Sequence, residues 1–262
     1  MANIELELLR KLKLDRPDRY LIALWLPARI RSLVACLFLL EHEWMRAPTV
    51  ASEPMLAEIR LTWWLEALGE VFAGKAPRRH PLIEGAAELL PEARLQFEDF
   101  ANIIEARIAA LYADEWSKDR LISYCEASGG ALSALAATAA ANLCGVQMDQ
   151  TIQKQAEAAG AFDQAMGILG AMSAEIYDAE KRKGAILPLM RGTSQVLTPA
   201  LSSFRLPSKQ LKPVARPGLL TAVAGNVRAD AVKRAFDGRP VEREDFGLGY
   251  QIALAKAALF QR

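Results

Sequence analysis

Along almost the whole chain apolar residues recur every three to four positions, and no segment alternates long enough to make a strand. That periodicity predicts an all-α fold. Abundant alanine and leucine with few β-branched residues point the same way. Punctuation divides the chain into eight to ten helices. One precedes Pro17. A second, strongly apolar one runs from about Pro27 to Met45. A third opens at Ser52 as N-cap, with Glu53 and Pro54 in its first turn, and ends near Gly74. Lys75 to Pro81 reads as a loop, followed by helices near 82–90, 92–112, 118–143 and 151–183. The 118–143 helix contains the flexible pair Gly129–Gly130. Pro199, Pro207, Pro213 and Pro217 break the following region into loops and short helices, and 218–236 and 243–261 read as closing helices. With no linker or internal repeat, residues 1–262 are expected to form a single domain with a sizeable core.

The most apolar early stretch, Leu21 to Leu40, carries Arg29 and Arg31 mid-span, too costly for a lipid-spanning helix, so it is expected in the core. No secretory signal is visible, and Cys36, Cys125 and Cys144 match no metal or redox spacing. Three reduced core thiols in a cytoplasmic protein is the expectation. His42 and His80 are too far apart for an imidazole-based metal site. A net charge of +1 argues against a nucleic-acid role. Lys181 to Ala229, however, holds nine basic residues and no acid (Lys181 and Arg228 at its ends), which suggests a solvated face or a peripheral contact with anionic lipid over 181–228.

The stretch SEPMLAEIRLTWWLEAL (Ser52 to Leu68) resembles a signature of the squalene/phytoene synthase-like family, closest to the branch that contains assembly factors for respiratory complex I. Arg19 to Leu40 resembles the family's opening helix pair and His80–Pro81 its "HP" step. Ile103 to Arg107 resembles its next helix, Tyr124–Cys125 with Gly129 its "YC…G" segment, and Gly160 to Leu189 its second motif. The resemblance implies an isoprenoid-synthase-type helical bundle. Enzymes of this family join two prenyl diphosphates, using magnesium to neutralise the leaving group. The metal is held by aspartates three or four residues apart on two facing helices, a spacing that puts both on one face.

At those positions this chain carries Trp44, Met45 and Pro48, then Gly167, Gly170 and Ala171, with only Glu175 acidic. Sliding the first motif would bring in Glu41 or Glu43, but never two acids four apart. The acidic pairs Glu66/Glu70, Glu84/Glu88, Glu88/Glu92 and Glu115/Asp119 lie elsewhere, on what should be outer faces. No catalytic residue and no metal ligand is therefore expected, and no cofactor, magnesium entering only if the chain is an active prenyl transferase with atypical ligands. The other readings are a lipid- or prenyl-binding module and an interaction protein, with a membrane respiratory complex as the partner the resemblance implies.

Gln164, Gly167, Ala171 and Glu175 share one helix face, one turn after Gly160, and make either a tightly packed helix pair or an uncharged cavity. On the signature helix Leu56, Ile59 and Trp63 are expected in the core, beside a face of Glu53, Ala57, Arg60 and Trp64. Arg60 is expected to meet Glu58 or Glu105 in a buried network. Arg107 and Tyr124 complete the candidate set with His80, expected to anchor its loop as a hydrogen-bond donor.

Overall fold

A computed structural model describes residues 2–113, 118–181, 220–236 and 248–259, and of these only the backbone at 2, 3, 29, 118, 169–181, 231–236 and 259. Among these the chain is helical with no strand. In order, α1 spans Ala2–Asp15, α2 Pro17–Leu24, α3 Ala28–Val50, α4 Pro54–Phe72, α5 Pro81–Ala93, α6 Phe97–Leu111 and α7 Lys118–Cys125. A π-helical turn, Glu126–Gly130, then runs straight into α8, Ala131–Leu143. The long α9 covers Gln150–Lys181, α10 Thr221–Phe236 and α11 Leu248–Leu259.

Two helices make the centre. In α3 every residue from Leu33 to Leu40 is buried, so the helix is apolar on all sides, as a central helix must be. The core assignment expected of Leu21 to Leu40 therefore holds for Leu33 to Leu40, but the stretch is not one helix: it is divided between α2 and α3, and Leu24 is exposed. Most of α8 is also buried, and its run of alanines lets α3, α5, α6 and α9 approach its backbone closely. The chain then wraps these two with α1, α2, α4 and α10.

Helix boundaries follow local chemistry. Proline sits in the first turn of α2, α4 and α5, where its missing N–H has no helical partner to lose. Gln96 and Asp99 form a reciprocal capping box on α6. Gly74, at φ +69°, leaves α4 through the left-handed region open to glycine, where the sequence places the end.

Several expectations need correction. The N-cap of α4 is Glu53, not Ser52. α3 passes Met45 and takes Pro48 into its last turns, since the hydrogen bond lost there costs little near a helix end. Gly129–Gly130 is not a flexible pair but a buried contact: a Cβ on Gly129 would meet Gln164 and the Gly160 carbonyl. Cys36 and Cys125 are buried, whereas Cys144 follows the last turn of α8 and is exposed. The largest error concerns the signature helix. Leu56 and Ile59 are 42% and 57% exposed and Trp63 is half-buried, because α4 turns Ala57, Leu61, Trp64, Ala67 and Leu68 inward instead. The loops and short helices expected between Pro199 and Pro217 lie outside the described residues.

Candidate functional site

Where α2, α3, α9 and α10 converge, acids and arginines are buried together. Asp18 and Arg19 come from α2, Glu41 from α3, Asp163 from α9 and Arg228 from α10, all at most 6% exposed. Arg228 bridges two helices: Nη2 donates to Asp18 Oδ2 at 2.8 Å, and Nη1 donates to Asp163 Oδ1. Arg19 Nη2 donates to the other oxygen of Asp163 at 2.6 Å. Arg16, preceding α2, clasps Asp18 through Nε and Nη2 at 3.1 and 2.9 Å, and Tyr250 of α11 donates to the Asp18 carbonyl at 3.1 Å. The Arg19 guanidinium also lies 5.1 Å from the centre of the Phe38 ring.

Glu41 is held more loosely. Its Oε2 stands 3.6 Å from Arg19 Nη2 and 3.8 Å from Arg16 Nη1, and its Oε1 4.0 Å from Arg107 Nη2. Burial alone would raise the Asp18 carboxyl, but Arg16, Arg228 and Arg19 overcome it and keep Asp18 well below the usual carboxylate range. Burial likewise pushes the Tyr250 phenol up, with Asp18 adding to it. These are charge-assisted bonds away from water, so each guanidinium is bound to its carboxylate strongly and in one geometry.

Beside this cluster lies a cavity of about 320 Å³, walled by Arg16, Arg19, Glu41, Asp163, Gln164 and Arg228, with His42, Met45, Arg46, Thr49 and Gly167 completing it. Burial, followed by the nearby Arg16 charge, lowers the pKa of His42.

The glycine-rich face of α9 divides in two. At Gly160 the helices touch, since a Cβ there would overlap the Gly129 carbonyl and Ser133. At Gly167 the nearest atom to such a Cβ is Arg228 Cδ at 3.9 Å, and the glycine opens onto the cavity. Close packing and cavity, set out as alternatives from the sequence, therefore share one helix. The side chains of Gly170, Ala171 and Glu175 lie outside the described residues.

The other expected positions scatter. Trp44 is fully buried, its indole N–H without a partner; Met45 and Pro48 are exposed. Arg107 is buried and donates to Tyr124 Oη at 3.4 Å behind the cluster. Arg60 is exposed, not buried, and meets neither acid expected for it: Glu58 accepts from Tyr112 at 2.5 Å, and Glu105 is exposed. The reason is the rotation of α4 that also exposes Leu56 and Ile59. Glu53 is exposed as well, and only Trp64 of that face with Ala57 is buried. Trp64 packs edge-on against His80, ring centres 4.9 Å apart, beside a second groove of about 360 Å³ between α3 and α4. His80 Nδ1 accepts from the Leu82 N–H, so it caps α5 as an acceptor rather than anchoring the loop as a donor. Glu66 and Glu70 share Arg78 at the surface, and Glu84, Glu88 and Glu92 are exposed, as expected; Glu115 lies outside the described residues. Arg228, counted in the basic stretch suggested to meet lipid, is buried in the cluster and unavailable to a membrane; Lys181 and residues 182–216 lie outside the described side chains.

The sequence reasoning missed Asp18, Arg19, Asp163 and Arg228. A signal existed: Asp163 is the only charged residue between Glu157 and Glu175, in a stretch of small and apolar residues. A charge placed there must find a partner.

A helical bundle around a central polar cavity is the architecture of isoprenoid synthases. A solved dehydrosqualene synthase, crystallised with a ligand, has the same fold, with a TM-score of 0.57 and 14% identity over 100% of this chain and 84% of that one. The squalene/phytoene synthase family model matches residues 12–191, more than half the chain, and the chain belongs to that family. A search of curated proteins returned no significant match.

Magnesium, which the family implies, takes hard oxygen ligands in near-octahedral geometry at about 2.0–2.1 Å. Asp18 and Asp163 already spend both oxygens on guanidinium groups, and Glu41 stands among three more such contacts. Among the described residues no group of three or more His, Cys, Asp or Glu side chains could hold a metal ion. The described residues do not fit the metal. No described helix is long and apolar enough to cross a membrane.

Proposed function

We propose that the chain is a non-catalytic member of the squalene/phytoene synthase family that binds a lipid or protein partner, with respiratory complex assembly as the setting the resemblance suggests. The observation that supports it is that Asp18 and Asp163 are hydrogen-bonded to arginines through both oxygens, with Glu41 standing 3.6–4.0 Å from three guanidinium groups rather than beside a second free acid. A departing diphosphate is multiply anionic and needs metal-bound neutralisation as the carbocation forms; carboxylates already committed to guanidinium cannot supply the ligands. The experiment is incubation of the purified full chain, at high concentration, with farnesyl or geranylgeranyl diphosphate and magnesium. No condensed product and no released diphosphate is expected. Magnesium-dependent product would establish the competing reading, a prenyl transferase with atypical ligands.

For a protein partner the supporting observation is the α3–α4 corner. Val50, Met55, Leu56 and Ile59 are 42–58% exposed there, beside the groove lined by Trp63, Trp64 and His80. Grouped apolar exposure of this kind marks an interaction surface. A tagged chain should co-purify with respiratory subunits from detergent-solubilised membranes, and the double substitution Leu56→Ser with Ile59→Ser should abolish that. Equal recovery with both chains would remove the corner from the reading. The same reading places the protein in the cytoplasm or peripherally on the inner membrane, which fractionation of cells at low and high salt tests.

A further inference from the structure

The buried cluster is not saturated. Arg19 donates one hydrogen bond through Nη2, while its buried Nε and Nη1 have no hydrogen-bond partner. Glu41 Oε2, equally buried, accepts from nothing within hydrogen-bond distance. Both residues line the 320 Å³ cavity. A buried polar network left half-satisfied is costly and is normally completed by water, an ion or a ligand.

Charge selects among these. Among the described residues four guanidinium groups (Arg16, Arg19, Arg107, Arg228) share three carboxylates (Asp18, Glu41, Asp163), an excess of one positive charge within the cluster, while Arg46 at the cavity wall is paired with Glu43 at 3.4 Å. Spare guanidinium N–H groups match the oxygens of an oxyanion. The lone Glu41 oxygen asks in addition for a donor.

We propose that this cavity binds a hydrogen-phosphate group directly, with no divalent metal, its oxygens accepting from Arg19 and its remaining hydroxyl donating to Glu41. The proposal deepens the non-catalytic reading and rests on it. Guanidinium groups, not a metal, are the cations at this cavity, so added magnesium competes for the anion and does not assist its capture. Gly167, where an added Cβ would meet only Arg228 Cδ at 3.9 Å, leaves room on the wall for whatever the phosphate is attached to.

The test is calorimetric titration of the full chain, stripped with EDTA, against inorganic phosphate and, separately, dodecyl phosphate below its micelle concentration. The first arm reports a free anion; the second reports a lipid-borne phosphomonoester. Saturable binding in EDTA is expected in at least one arm, unchanged or weakened by magnesium. Arg19→Met should abolish it. Because that variant removes a buried charge, Gly167→Leu serves as a second one: it fills the cavity, leaves every charge in place and should weaken binding at least about tenfold. Far-UV circular dichroism checks that both fold. Binding that appears only with magnesium, binding indifferent to Gly167→Leu, or a silent titration in both arms overturns the anion site. Turnover of farnesyl diphosphate would sink the non-catalytic reading instead, so the two failures are distinguishable.

Discussion

Replacing Asp163 with alanine tests the cluster at its most connected point. Asp163 is 2% exposed and accepts from Arg19 and Arg228 with its two oxygens, so the truncation strips a partner from two buried cations at once. Hydrogen bonds to charged groups contribute roughly 1.5–3 kcal/mol each. Arg228 keeps Asp18 at 2.8 Å, while Arg19 is left with ion contacts at 3.6 and 3.9 Å, beyond hydrogen-bond distance. The total should therefore fall near the usual cost of breaking a buried pair, about 3–5 kcal/mol. Asp163→Asn keeps the shape and one acceptor and should cost about half as much. Urea unfolding at neutral pH, followed by far-UV circular dichroism, measures both. Arg228→Met, alone and combined with Asp163→Ala, completes a cycle whose coupling should reach roughly 1–3 kcal/mol. The loss should also persist in molar salt, since buried pairs are little screened. An Asp163→Ala chain within about 0.5 kcal/mol of the parent would refute the reasoning, because that is the behaviour of a solvated surface site.

Gly160→Ala forces a methyl into the Gly129 carbonyl and Ser133, so it should destabilise by about 1–3 kcal/mol by the same assay despite alanine's better helix propensity. Thiol titration with a coloured disulfide reagent should modify Cys144 at once in the native protein. Cys36 and Cys125, buried with thiols pushed up to about 12, should react only on unfolding. Stability should fall with acid in two steps. Burial depresses the pKa of His42 and His80, so between the ordinary histidine value of about 6.5 and their folded values the unfolded chain binds more protons and stability drops as pH falls. Asp18 is depressed as well, so its contribution is complete above the ordinary carboxylate value of about 4 and is lost below it. Urea midpoints across this range check both steps, and His42→Gln should flatten the first.

The helices were legible because their cause is local. A 3.6-residue period, a proline in the first turn and a glycine at an exit act within a few residues, and the starts of α4 and α5 follow from them; α2, which opens on Pro17, was not read from the sequence. The facing of α4 was not legible. Its sequence is apolar over more than one face, PMLAEIRLTWWLEALGEVF, and periodicity allows either Leu56–Ile59–Trp63 or Ala57–Leu61–Trp64 to point inward. Packing chose the second, against α6 and α3, and left the first outside. An apolar stripe therefore does not by itself report which face the chain buries.

The cluster was hidden for a different reason. Its members come from positions 16–19, 41, 107, 163 and 228, and no spacing rule links them. A motif-centred reading asks whether acids stand four apart, and by that rule Glu41 and Asp163 are strays. Burial changes the question. A charge inside an apolar helix has to be neutralised, and where no second acid stands one turn away to share a metal, a neutralising group available to it is a guanidinium. The single Asp163 in its small-residue helix and the single Glu41 at the end of an eight-residue apolar run each imply an arginine from elsewhere in the chain. Arg19 and Arg228 are those arginines, and Arg228 arrives from the basic stretch that composition alone assigned to the surface.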